Sequence, residues 1–342
     1  MYEIKDWNDI SKNYTGTIIL GNGASIAVNE KFNYTSLFEK AGLSTDIKQL
    51  FDFFKTKDFE LILKSVWQAF NVNKFLKIKD DKTHDTYVNI RDCLIKTVSG
   101  IHPKHEAIST EIVKINSFLK IFDYVISLNY DLIVYWSTIH SLDKNGHAFK
   151  DGFCERHPPK ENWEELEQPI KGQKKVSLVF YPHGNLMLCQ KLFENGIGQD
   201  RKLCKKKEDK DLTQQDKKDL LQSVLEAWKS EDCVPLFVSE GTKEHKLRAI
   251  RSSNYLSIVY QEVLPNLKDN ITIYGWGIEE QDEHILKKIL ENKGLKKIAV
   301  SVYDNDQDYC HKIEKSIKKI KNNIEIEFFD SKSPGCWNNE PI

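Results

Sequence analysis

The sequence predicts a doubly wound α/β fold built on a parallel sheet. Short, uninterrupted apolar runs rich in β-branched residues recur along the chain, as in strands covered on both faces. Helix-length stretches separate the later runs and are long enough for right-handed crossovers. Glycines or polar residues follow several runs directly, at the strand ends where ligand clefts of open α/β sheets lie.

The first strong strand, Thr17-Ile18-Ile19-Leu20, runs into a glycine turn, Gly21-Asn22-Gly23-Ala24-Ser25. From 35 to 122 apolar residues recur at three- and four-residue spacings, as in Leu37, Phe38 and Ala41 and later Phe59, Ile62, Leu63, Val66 and Phe70. That periodicity predicts several packed helices. The block is too long for one crossover and reads as a helical insertion. Strand-like runs return at 124–128, 176–180, 236–238, 271–274, 298–302 and 324–328, with helical stretches at 243–264, 279–292 and 306–320. A polar connection at 141–175 and the Lys- and Asp-dense run 201–219 read as surface insertions, so that 141–232 forms a second insertion around the strand ending at His183-Gly184. The whole chain, 1–342, is then one Rossmann-like domain.

Composition narrows the class. A chain of 342 residues with 40% hydrophobic content can bury a substantial core. Lys and Arg total 50 against 51 Asp and Glu, a net charge of -1, which gives no global electrostatic case for nucleic acid or an anionic membrane. No apolar run approaches the roughly 18 residues of a membrane span, and the start MYEIKDWNDISKNY lacks a signal-peptide layout. A cytoplasmic protein is expected. The seven cysteines are scattered and odd in number, with neither a disulfide framework nor the paired thiolates of a zinc ribbon. His147, Cys154 and His157 are the nearest approach to a ligand cluster, and no metal is expected there.

The strand ends supply candidate chemistry. Gly21 and Gly23 stand where a sharp turn brings backbone amides and a helix start against a pyrophosphate, or simply closes on itself. Ser25 can cap the following helix or bond a phosphate oxygen. Ile26 occupies the place of the third glycine of the dinucleotide fingerprint, and no acidic strand end follows about 20 residues on, which disfavours a dehydrogenase of the usual type. In Ser127-Leu128-Asn129-Tyr130-Asp131, Asn129 suits ribose hydroxyls or a water without titrating, or else satisfies its own turn. Asp131 stands at the next helix start, where an N-cap competes with a functional role. In Tyr181-Pro182-His183-Gly184-Asn185, His183 titrates near neutral pH and suits a general base, although a lone strand-end histidine is more often structural. Gly184 lets the backbone turn sharply or approach a ligand. Asp282, Glu283 and His284 follow the Gly275-Trp276-Gly277 loop without a second acidic cluster of nuclease spacing. Glu240 stands at a strand end, with capping or ion pairing equally open, and Lys246, Arg248 and Arg251 read as the basic outer face of a packing helix.

In this order the segments resemble the sirtuins, which carry a G-A-G-x-S turn, a strand ending T-Q-N-x-D and a strand ending H-G. Two further pieces are similar: Val234 to Gly241 to the strand ending F-G-E, and Ile273-Tyr274-Gly275-Trp276-Gly277 to the G-T-S loop near the adenosine. The opening segment IILGNGASIAVNEKFNYTSLFEK resembles bacterial sirtuin-like families, including anti-phage abortive-infection proteins with an I-G-N-G turn. The G-I-P-D-F-R loop and the four-cysteine zinc module of deacylating sirtuins are missing. The resemblance implies NAD as substrate, with Gly21, Asn22, Gly23, Ala24, Ser25, Gly184, Gly275 and Gly277 holding the nucleotide and Asn129, His183 and Asp131 at the reaction. The implied activity is an NAD glycohydrolase, with no metal, yielding nicotinamide and ADP-ribose in anti-phage defence. It would be restrained by a homo-oligomer, a regulatory partner or an allosteric nucleotide. The alternatives are a non-catalytic NAD or ADP-ribose sensor, and a deacylase or ADP-ribosyltransferase.

Overall fold

The computed structural model describes residues 1–33, 36–139, 146–153, 163–169, 173–192, 198–203, 220–229, 233–238 and 242–340. Among them the strands are β1 (Ile4–Lys5), β2 (Thr17–Leu20), β3 (Tyr124–Ser127), β4 (His147–Lys150), β5 (Lys175–Phe180) and β6 (Gly184–Leu192). They continue with β7 (Gly198–Lys202), β8 (Cys233–Phe237), β9 (Asn270–Tyr274), β10 (Lys297–Val302) and β11 (Glu325–Asp330). Eight form one sheet in the order β1-β11-β10-β9-β2-β3-β5-β4, with every pair parallel. Helices flank it, in the α/β arrangement expected of a Rossmann-like fold. The inner strands are apolar throughout because both faces are covered: all four residues of β2 and of β3 are buried.

Register positions the site. Leu20 pairs with both Ser127 and Tyr274, so β2, β3 and β9 end level and deliver the loops after them to one edge of the sheet. The chain winds from β2 towards β3 and β5 on one side and from β9 towards β10 and β11 on the other. The order therefore reverses between β2 and β9, where a crevice opens in this class of fold.

Between β2 and β3 lie the helices Leu37–Lys40, Thr45–Phe53, Phe59–Phe75, Lys82–Ile101 and Ser109–Leu119. Asp58 starts the third by accepting from the amides of Glu60 at 2.9 Å and Leu61 at 3.3 Å, and Phe59, Ile62, Leu63 and Val66 line its buried stripe.

Several expectations need correction. The run 236–238 falls on β8 and its end, but β8 belongs to a second, antiparallel sheet in the order β7-β6-β8. It is uninterruptedly apolar because helices Phe59–Phe75 and Leu220–Lys229 cover it, which mimics a buried parallel strand. The connection 141–175 contains β4, an edge strand whose half-buried His-Ala-Phe-Lys carries no apolar run. The stretch 243–264 breaks at Ser252 and Ser253 into helices Lys243–Arg251 and Asn254–Ile258, the second continued by a π-turn, Val259–Val263. Ser253 caps the second by accepting from the Leu256 amide at 3.1 Å. In the charged run, Lys202 is buried against Asp151 at 2.6 Å; residues 204–219 lie outside the described residues, as do Cys154, His157, Glu240 and Gly241. His147 faces Ser177 Oγ at 3.0 Å. Among the described residues no helix is long and apolar enough to cross a membrane, and no group of three His, Cys, Asp or Glu is placed to hold a metal ion.

Candidate functional site

A cavity of about 350 Å³ opens at the reversal of strand order. The loops after β2, β3 and β9 line it together with His183, Lys246 and Asp282. Two backbone approaches shape it. A Cβ on Gly21 would meet Trp276 Cα at 2.5 Å, so the glycine turn lies flush on the loop after β9. Gly184 has φ +74°, and a Cβ there would run into the Leu236 carbonyl, so this glycine lets the start of β6 lie close against β8.

The β2 and β3 loops are joined by a hydrogen-bond chain. Asn129 Nδ2 donates to the Gly21 carbonyl at 2.9 Å and to Ser25 Oγ at 2.8 Å. Ser25 Oγ then donates to Asp131 Oδ2 at 2.5 Å, and Asp131 Oδ1 accepts from the Ile133 amide at 2.8 Å, at the start of helix Ile133–Ile139. Such chained bonds polarise one another and fix orientation. Burial pushes the Asp131 carboxyl up, and the Ser25 hydroxyl and Ile133 amide pull it back in part. Behind it, His102 accepts from the Leu132 amide at 3.0 Å through Nε2 and meets the Pro103 carbonyl at 2.8 Å through Nδ1. That pairing requires the neutral ring, and burial holds its pKa down to about 4.

The segments at 127–131 and 181–185 are laced together. Asn185 Nδ2 donates to the Asp131 carbonyl at 2.5 Å, and the Leu186 amide donates to the Tyr130 carbonyl at 2.8 Å. The Leu128 carbonyl accepts from the His183 ring. The two polar signatures are therefore held together, with His183 between the Leu128 carbonyl and the charged groups across from it.

The opposite wall is charged. His183 is 3% exposed, and its Nε2 has no hydrogen-bond partner. Asp282 Oδ1 lies 4.0 Å from it, the same oxygen that accepts from Lys246 Nζ at 2.6 Å. His284 stacks obliquely on His183, with ring centroids 5.6 Å apart. Burial first, then the Lys246 charge, pushes the His183 pKa down to about 3, against the raising effect of Asp282. His284 is held down to about 4 by burial, with Asp282 opposing. Burial alone would raise the Asp282 carboxyl, but His183 and Lys246 together bring it below the ordinary range. The ring of His183 is thus neutral at pH 7 and presents an unshared pair at Nε2.

Asn22, Gly275 and Gly277 also line the cavity, whereas Ala24, Ser25 and Gly184 stand behind its wall. The amides of Gly21 and Gly23 donate to the carbonyls of Tyr274 at 3.0 Å and Gly275 at 2.8 Å, and that of Ala24 to Gly21 at 3.0 Å. The turn's role here is to dock two loops, with these donors already engaged. Lys246 is not on an outer face: it is 5% exposed and points inward. It and Asp282 are members of the site that the sequence left without a part in it, Lys246 as a basic helix face and Asp282 as an acidic residue after the glycine loop.

The family described as a domain of unknown function, DUF4917, matches residues 18–337, from β2 to the segment beyond β11. The chain belongs to the DUF4917 family. The match takes in both walls of the cavity, so this DUF4917 site lies wholly within the shared region. No curated protein matches the sequence significantly.

Proposed function

We propose that this DUF4917 protein binds NAD in the cavity and hydrolyses its nicotinamide-ribose bond. The observation that carries the reading is the joint presence of Asn129, Asp131 and His183 on one cavity at the switch point of a parallel sheet, together with the sirtuin-like order of the segments that supply them. A cavity of about 350 Å³ lies within the range of small-molecule sites, roughly 300 to 1,000 Å³.

The chemistry suits these residues. The C–N bond breaks with its electron pair leaving on nicotinamide, which departs neutral, so no general acid is needed. The ribose develops oxocarbenium character and is captured by water, whose proton passes to His183 Nε2 and on to solvent. Asn129, locked by Ser25 and Gly21, orients ribose or water through its amide carbonyl. Asp131 has both oxygens engaged and acts as a positioning residue. The products are nicotinamide, ADP-ribose and a proton. Consumption of NAD in anti-phage defence, restrained by assembly or a partner, is the biological setting that the resemblance implies.

A second reading is a non-catalytic NAD or ADP-ribose sensor. The low basicity of His183 favours it, since a base with a pKa near 3 has little driving force at pH 7. Turnover and NAD binding measured on Asn129→Ala and His183→Ala separate the two. A hydrolase loses nicotinamide release in both variants while NAD still binds. A wild-type protein that binds NAD with no product under any condition is a sensor.

A further inference from the structure

Resting on the NAD reading, we propose that Lys246 is the cation that receives the nucleotide pyrophosphate, and that its departure from Asp282 hands that carboxylate to His183. Substrate binding thereby builds the His183-Asp282 pair that hydrolysis uses.

The first support is what the glycine turn does not offer. The Gly21, Gly23 and Ala24 amides are hydrogen-bonded within the protein, so a diphosphate needs its counter-charge elsewhere. Among the described residues lining the cavity, Lys246 is the one cation, against the carboxylates of Asp131, Glu279 and Asp282. Glu279 is paired with Lys312 at 2.7 Å outside the cavity lining. An ammonium carries three donors, and Asp282 takes one.

The second support is the shared oxygen. Asp282 Oδ1 lies 2.6 Å from Lys246 Nζ and 4.0 Å from His183 Nε2. A shift of about 1 Å would bring Oδ1 into hydrogen-bond range of the imidazolium that forms once Nε2 has taken the water proton, while Trp276 Nε1, 3.5 Å from Oδ2, flanks the other oxygen. Oδ1 thus has two alternative partners, Lys246 and the protonated His183 ring, and an anion that binds Lys246 favours the second.

The groups facing His183 all bear on the outcome. They are Lys246 from helix Lys243–Arg251, Asp282 from the turn Glu280–Asp282, His284 from helix Glu283–Leu290, and the Leu128 carbonyl at the end of β3. Lys246 and His284 oppose protonation, whereas Asp282 and Leu128 favour it. Pairing Lys246 with phosphate removes an opposing charge and strengthens a favouring one at once. Without ligand the base stays weak, which is a form of restraint built into the site.

The test reads the His183 ring by nitrogen and proton NMR in the wild-type protein, with and without ADP-ribose. The ring is expected to titrate at least about one unit higher in the complex than in the protein alone. ADP-ribose affinity should fall at least about tenfold in Lys246→Met but be retained in Lys246→Arg, with adenosine, which lacks phosphate, binding Lys246→Met and wild type alike. Asp282→Asn should bind ADP-ribose with no shift of His183. If Lys246→Met does not fold, Lys246→Met/Asp282→Leu removes both charges and should show the same loss. ADP-ribose bound with an unmoved His183, or bound equally by Lys246→Met, overturns the proposal and leaves the NAD reading standing. Failure of ADP-ribose and NAD to bind the wild-type protein overturns both.

Discussion

The two walls of the cavity are built on opposite principles. On the side of β2 and β3, Asn129, Ser25 and Asp131 form a hydrogen-bond chain whose side-chain donors reach protein acceptors, and His102 behind it is paired with the Leu132 amide and the Pro103 carbonyl. On the other side, a buried cation, a carboxylate and two imidazoles face one another, and His183 Nε2 lacks a hydrogen-bond partner. A satisfied network gives rigidity and a unique arrangement. An under-satisfied charged cluster is costly for stability and sensitive to any ligand that supplies what is missing. In the proposed reaction the first wall orients and the second responds.

Substitutions on the two walls should therefore fail differently. The largest effect belongs to His183→Ala: nicotinamide release is expected to drop by about 10² to 10⁴, or roughly 3 to 5 kcal/mol in barrier, with NAD affinity within a few-fold of wild type by calorimetry. Next comes Gly21→Ala, which forces the loop after β9 away from the turn and should cost about 3 kcal/mol in urea unfolding. Asp131→Ala strands the Ser25 hydroxyl and the Ile133 amide, for a loss of about 2 to 3 kcal/mol by the same assay. A loss well under 1 kcal/mol would mean that this wall is not the rigid one.

The smallest effect is on pH dependence. His183, His102 and His284 have folded pKa values of about 3, 4 and 4, below the unfolded value near 6.5. The unfolded chain then binds more protons between those limits, so their stability is complete above about pH 6.5 and is lost as pH falls through the window. Asp131 and Glu60, raised by burial, act with the opposite sign above the ordinary carboxylate pKa. Stability from urea midpoints should fall from pH 6.5 to 5, and His183→Ala should make that slope shallower by about 1.4 kcal/mol per pH unit. An unchanged slope would show that His183 is not buried in its neutral form.

The difference between the walls also explains what could be read from the chain. The parallel strands were legible because coverage on both faces leaves an apolar run with no alternation, as in β2, β3, β9 and β10. Strands β4 and β7 lack that signature, whereas β6, through Leu186 to Cys189, and β8 carry it outside the parallel sheet, β8 because of the helices above it. The orienting wall was legible residue by residue, since Asn129, Asp131 and Ser25 sit directly at strand ends and helix starts. The responding wall was not. Lys246 and Asp282 are 36 positions apart, and Lys246 shares a helix with Arg248 and Arg251, which in one dimension looks like a solvated face. Only the docking of two later helices against the strand-end histidine makes them a site.

The most direct test of an NAD-cleaving cavity is a single-turnover experiment, with protein in excess over NAD, self-association varied by concentration, and the products resolved by chromatography. The expected result is nicotinamide and ADP-ribose in equal amounts from the wild-type protein and intact, bound NAD from His183→Ala. Recovery of intact NAD from wild-type complexes in every assembly state would contradict cleavage and leave the cavity as a sensor.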